Sequence, residues 1–311
     1  MEEFSFEKAS KFSNKDKFFD INFLWLPGFE NSVRKLYYTN IRPETIVILS
    51  LIAGLIAAYL YSLGSYYLSL AAILFIQLKN YLDSIDGHIA RAKNLQSRFG
   101  RFLDSLSDAL VYFCLFTGIA VNFASDMPFL FDCLLSCAAM FSAFLQCSVY
   151  NYYVVSYKTY LLGKGINRTD ESFTDEEKDQ YKKGLSGIAL YVLQLIYQGV
   201  YAWQDKVVAH ADSLAREKSG IASHTSPCQE RDRLWYADKK FLSLVSPLCF
   251  GTQILALSIF TLADNLIGFL WFIIIVGNIY TVLILLWKTY TTKIPSSEPS
   301  PSRMKDRTSS T

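Results

Sequence analysis

The sequence predicts an all-α integral membrane protein. Six transmembrane helices are expected, with one interfacial helix before the first and another in a polar insertion between the fourth and fifth. Three observations carry this expectation. First, 51% of the 311 residues are hydrophobic and 15% aromatic, and the charged residues gather between long apolar runs. Second, six of those runs come close to the 20 or so residues that cross a bilayer as helix. Third, the connections alternate in charge. Residues 64–66, 124–128 and 263–265 hold no Lys or Arg, whereas Arg34, Lys35, Arg42, Lys93, Arg98, Lys158, Lys239 and Lys293 lie at the other ends of the runs.

In chain order, residues 1–44 form a cytoplasmic segment. Within it, Phe23, Leu24, Trp25, Leu26 and then Val33 to Tyr38 mix aromatic, apolar and basic side chains as an interfacial helix does. Residues 45–163 carry four spans, at about 45–63, 67–82, 102–123 and 129–150. Residues 164–240 are a cytoplasmic insertion, charge-rich over 170–183 and Ser/Pro-containing over 219–228. Its segment 186–203 is apolar enough to rival a span, but crossing there would put Lys239, Lys240 and the basic tail on the wrong side. It is therefore expected as an amphipathic helix at the interface or over the cytoplasmic end of the bundle. Residues 241–290 supply the last two spans, 242–262 and 266–287, and 291–311 a disordered Ser/Pro/Lys/Arg tail. Both termini are cytoplasmic on this reading, and the charged N-terminus lacks the pattern of a cleavable signal.

Four carboxylates break the apolar pattern where the second and third spans meet. Asp83 and Asp86, followed by Gly87, Ala90 and Arg91, share one helical face; Gly100, Asp104 and Asp108 share another. An Asp within a spanning helix costs roughly 2.5–3.5 kcal/mol on insertion scales, so four without matching bases on their faces call for a cation between them. Hard oxygen ligands suit Mg²⁺, Mn²⁺ or Ca²⁺ rather than zinc. Gly87, Ala90 and Gly100 leave room beside the acids for something bulky, and Arg91 is placed to meet a phosphate.

Asp-x-x-Asp-Gly-x-x-Ala-Arg, eight residues, Gly-x-x-x-Asp-x-x-x-Asp resembles the signature of the CDP-alcohol phosphotransferases at every fixed position from Asp83 to Asp108. The resemblance implies a phospholipid-synthesis enzyme that passes a substituted phosphate group from a CDP-alcohol to an acceptor hydroxyl and releases CMP. Asp83, Asp86, Asp104 and Asp108 would hold Mg²⁺ or Mn²⁺, and Asp108 would be the general base. Gly87, Ala90, Arg91 and Gly100 would bind the nucleotide donor. Six spans in about 300 residues are similar to the members that use CDP-diacylglycerol; a CDP-choline- or CDP-ethanolamine-type enzyme acting on diacylglycerol is the alternative, and a non-enzymatic membrane protein with a cation site is a third reading. Contact with membrane lipid, a homodimer and no nucleic-acid partner are expected.

Two positions depart from the family pattern. Ala109 stands where relatives with phosphorylated or inositol acceptors often carry Lys or Arg, which favours a neutral or zwitterionic acceptor. Pro43-Glu44, followed by Val47, stands where many relatives carry Pro-Asn and a Thr. The remaining candidates are read as structural: Cys133 and Cys137 as helix-packing residues, His88 as a helix-surface histidine, His210 and His224 as lone loop residues. Asn167-Arg-Thr169 matches a glycosylation triplet but falls in the cytoplasmic insertion.

Overall fold

The computed structural model describes residues 4–10, 12, 15–21, 28–122, 129–162, 185–220 and 229–292, and every regular element among them is helical. The expectations placed on Phe23 to Leu26, the 124–128 connection, residues 170–183 and 221–228, and the tail lie outside the described residues.

Two short N-terminal helices, α1 (Phe6–Ala9) and α2 (Phe29–Tyr37), precede the bundle. The spans begin with α3 (Pro43–Ser62), where Pro43 opens the helix at a position whose N–H would have no intrahelical partner. They continue with α4 (Tyr66–Ala92), α5 (Arg98–Asn122) and α6 (Phe129–Leu162). Small residues let the backbones approach: a Cβ on Gly118 would fall 2.5 Å from the Ala58 carbonyl oxygen, and one on Gly54 2.5 Å from a Val111 methyl. Away from the acids, the Tyr61 hydroxyl meets Thr261 Oγ1 at 2.9 Å, and Asn122 Nδ2 donates to the Tyr61 carbonyl at 2.8 Å.

Among the described residues, five helices are long and apolar enough to cross a membrane, namely Pro43–Ser62, Tyr66–Ala92, Arg98–Asn122, Phe129–Tyr160 and Leu266–Thr291, and a bent pair makes a sixth if it crosses as one span. The protein is thus a helical integral membrane protein. The bend corrects the expected straight span over 242–262. Lys239–Leu248 and Phe250–Leu262 meet at 43°, where Cys249 between them is extended (φ −73°, ψ 156°), two residues after Pro247, which has no N–H to continue the helical ladder. The last crossing runs from α12 (Leu266–Trp271) through a π-helical turn (Phe272–Gly277) into α13 (Asn278–Thr291). Such a turn breaks the regular ladder, and Gln146 Nε2 donates to the Ile273 carbonyl within it at 2.9 Å.

Segment 185–218 forms α7 (Leu185–Tyr197), a π-helical turn (Gln198–Ala202) and α8 (Trp203–Lys218). The sequence kept its apolar part outside the spans, at an interface or over the bundle's end. The contacts seat it against α5: Tyr197 and Tyr201 lie in the same core as Phe102 and Tyr112, and the Tyr201 hydroxyl donates to the Ser105 carbonyl at 2.7 Å. Ile188, Val192, Leu195 and Ile196 stay exposed.

Two more helices, α9 (Gln229–Tyr236) and α10 (Lys239–Val245), close the end of the bundle near the acids, with the second arm of the bent pair as α11 (Phe250–Leu262). Asp212 of α8 ties α9 to α6: it accepts from Tyr153 at 2.6 Å, Trp235 Nε1 at 2.8 Å and Tyr236 at 2.6 Å. Burial first, then the Asp212 charge, pushes the Tyr236 phenol up, so it stays protonated and donates. Lys288 donates to the Trp235 carbonyl at 2.7 Å and lies 3.9 Å from the centre of the Phe241 ring. The N-terminal segment crosses the same end. The Tyr157 hydroxyl donates to the Asp16 carbonyl, Tyr150 to Asp20 Oδ2, and the Ile21 N–H to Ser246 Oγ.

Candidate functional site

The site is built on the hairpin between α4 and α5. Helix α4 ends because Asn94 takes the left-handed conformation (φ 55°), which lets the Leu95 N–H reach back to the Ala90 carbonyl at 2.8 Å. Lys93 ties this turn to the chain ahead of α3, donating to the Thr39 and Ile41 carbonyls, both at 2.8 Å. Helix α5 then starts under a cap in which Ser97 Oγ accepts the Gly100 N–H at 2.9 Å. The hairpin therefore returns the chain so that the acidic faces of α4 and α5 meet.

One carboxylate oxygen from each of Asp83, Asp104 and Asp108 lies within 4.8 Å of the others, and all three residues are half-buried. Asp86 stands apart from this trio, 6% exposed, and its Oδ2 has no hydrogen-bond partner. The donor set fits a hard divalent cation: every candidate ligand is a carboxylate oxygen, and an orphaned one lies three residues along the same helix. Neighbouring ligands on magnesium stand about 3 Å apart, so side-chain rotations of about 1 Å would close the trio on an ion.

A base on the acidic face escaped the sequence reasoning. Lys79, one turn before Asp83, is 1% exposed, and its ammonium lies 3.2 Å from Asp83 Oδ1 and bonds Asp108 Oδ1. The expectation that the acids lacked a matching base is corrected here. The i−4 spacing from Asp83 was the available signal, hidden inside an apolar run.

The other motif residues have definite neighbours. Arg91 Nε donates to the Ala9 carbonyl at 2.7 Å, and a Cβ on Gly87 would come 3.3 Å from Arg91 Nη1, so Gly87 makes room for that guanidinium. A Cβ on Gly100 would meet Ser97 Oγ at 3.1 Å and Glu44 Oε1 at 3.7 Å, which brings the departing Glu44 beside the motif glycine. Ala90 is half-buried. His88 is not the helix-surface histidine of the sequence reading. It is buried, stacked on Phe6 at 5.9 Å and edge-on to Phe29 at 4.7 Å, because α1 and α2 cover that face of α4.

With this geometry, comparison with known proteins is decisive. Residues 40–211, more than half of the chain, match the family model for CDP-alcohol phosphatidyltransferases. The chain belongs to the CDP-alcohol phosphatidyltransferase family. Among curated relatives, an uncharacterized protein of Aquifex aeolicus is 38% identical over 90 residues, 28% of this chain and 42% of that protein. A second protein of the same organism, named a bifunctional IPC transferase and DIPP synthase, is 29% identical over 133 residues, 40% of this chain and 30% of its own length. This phosphatidyltransferase-family chain thus spans less than half the length of both relatives.

Proposed function

We propose that this protein is a CDP-alcohol phosphatidyltransferase that moves a phosphatidyl group from CDP-diacylglycerol to the hydroxyl of a small neutral or zwitterionic alcohol, releasing CMP. The observation that carries the proposal is the convergence of Asp83, Asp104 and Asp108 within 4.8 Å on the two motif helices of a membrane protein of this family. The relative named as a transferase and synthase supports an enzymatic role.

Asp83, Asp104 and Asp108, with Asp86 adjoining, would hold Mg²⁺ or Mn²⁺, which when bound neutralises the pyrophosphate of the donor. Asp108, one turn further along α5 than Asp104, accepts the proton of the acceptor hydroxyl. The acceptor oxygen bonds to the phosphorus that carries the diacylglycerol, and the bond from that phosphorus to CMP breaks. Arg91 steadies the pyrophosphate. Gly87, Ala90 and Gly100 leave space for the nucleotide, with Glu44 at its edge. The acceptor preference rests on Ala109, which offers an anionic acceptor no charge. The basic residues at the hairpin end support a site and both termini on the cytoplasmic side, where nucleotide substrates are soluble. The family resemblance also favours a homodimer.

A donor panel with the purified protein in detergent tests this. CMP release from CDP-diacylglycerol with serine or an uncharged polyol, and none from CDP-choline with diacylglycerol, is expected. The reverse pattern overturns the donor assignment, and no CMP from any donor overturns the enzymatic reading.

A further inference from the structure

We infer that Lys79 is a tethered counter-cation: its ammonium holds the acidic cluster together when the metal is out and is displaced from Asp83 and Asp108 when a divalent ion enters. The inference rests on the metal-binding reading of the cluster.

Three features of the site carry it. The ammonium is not a surface charge that wandered in. Lys79 is 1% exposed, its Cγ lies 3.2 Å from where a Gly54 Cβ would be, and Ser50 Oγ donates to its carbonyl. Helix α3 thus supplies a notch, at Gly54, through which the lysine stem runs to the acids. The ammonium also bonds Oδ1 of Asp83, at 3.2 Å, and Oδ1 of Asp108, two of the three residues that an ion would use. A magnesium or manganese ion sits about 2.1 Å from its ligand oxygens, so an ion and an ammonium sharing these carboxylates would lie only about 4 Å apart. Two cations that close in a buried site repel strongly, and they exclude one another from those oxygens. Finally, among the described residues Lys79 is the cation bonded to Asp83 and Asp108, whereas Arg91 Nε donates to the Ala9 carbonyl.

The consequence reaches the proposed base. Asp108 is bonded to Lys79 through one carboxylate oxygen, so an entering ion would take the place of the ammonium on that oxygen and leave the other to accept the acceptor proton. Without an ion, the protein would then be intact with its acids held by Lys79, not unfolded.

The test is Mn²⁺ binding to the full chain in detergent, read from the free-ion paramagnetic resonance signal, with thermal unfolding measured alongside in chelator and in saturating Mn²⁺. Lys79→Met should bind Mn²⁺ roughly tenfold more tightly than wild type, since the competitor is gone and the unpaired carboxylates seek a cation. It should also melt lower in chelator yet gain more from Mn²⁺. Should it require Mn²⁺ to fold at all, that too supports the inference. Lys79→Arg, which keeps the charge, should bind within about threefold of wild type. Equal or weaker binding by Lys79→Met overturns the inference, as does a Met variant that stays unfolded in saturating Mn²⁺, or an Arg variant that binds as tightly as Met. Absence of Mn²⁺ binding in wild type overturns the metal site itself, whereas wild-type-like binding by Lys79→Met overturns only the role of Lys79.

Discussion

Replacing Asp212 by leucine should loosen the junction between α8, α9 and α6. Asp212 is 2% exposed and accepts bonds of 2.6–2.8 Å from Tyr153, Trp235 and Tyr236. In Asp212→Leu, the Tyr153 hydroxyl (1% exposed) and the Trp235 indole N–H (0%) lose their acceptor and cannot reach water. A buried donor left without a partner costs about 1–3 kcal/mol, so these two cost roughly 2–6 kcal/mol. Leucine also removes a buried carboxylate that was itself costly to desolvate, which brings the net loss to roughly 2–4 kcal/mol. At about 2 °C per kcal/mol for a chain of this size, the melting temperature should fall by roughly 4–8 °C. The assay follows a thiol-reactive fluorophore on heating, with buried Cys147 on α6 reporting the opening. Adding Tyr153→Phe to Asp212→Leu should restore part of the loss, because one orphaned donor is gone. A melting temperature within 1 °C of wild type, or fully additive losses in the double variant, refutes the reasoning.

Within the motif, Asp108→Asn should lower turnover by about 10²–10⁴ while keeping most Mn²⁺ affinity, since an amide accepts no proton but still offers an oxygen. Asp83→Asn and Asp104→Asn should weaken Mn²⁺ and donor binding together; loss of Mn²⁺ binding in Asp108→Asn as severe as in Asp83→Asn makes Asp108 a ligand rather than the base. For topology, a single cysteine at Ala124 in a background stripped of native cysteines should react with an impermeant reagent from the non-cytoplasmic side, and one at Asp175 should not. Labelling at Asp175 from that side reverses the sidedness drawn from the basic residues.

Much of the scaffold was legible because long apolar runs must be helices in a bilayer, where no other local structure satisfies the backbone. The acid faces were legible because helical spacing puts Asp83 with Asp86 and Asp104 with Asp108. What hydropathy hid were features that do not change the average. Helix α6 runs to Leu162, well past the expected end near 150, because no Gly or Pro interrupts 129–162. The break in 242–262 was signalled by Ser246-Pro247 but outweighed by the apolarity around it. Lys79 is a single charge in a greasy run, and its meaning depends on Asp108 across a helix boundary. The burial of His88 depends on α1 and α2, whose docking is a tertiary event that no local pattern encodes.

The central claim is that the Asp83–Asp104–Asp108 cluster is a metal-dependent phosphatidyl-transfer centre. Its most direct measurement is CMP release from CDP-diacylglycerol by the purified protein, first in excess chelator and then after adding back Mg²⁺ or Mn²⁺. No CMP in chelator, and recovery on addition of either ion, are expected. CMP release that persists in excess chelator contradicts it.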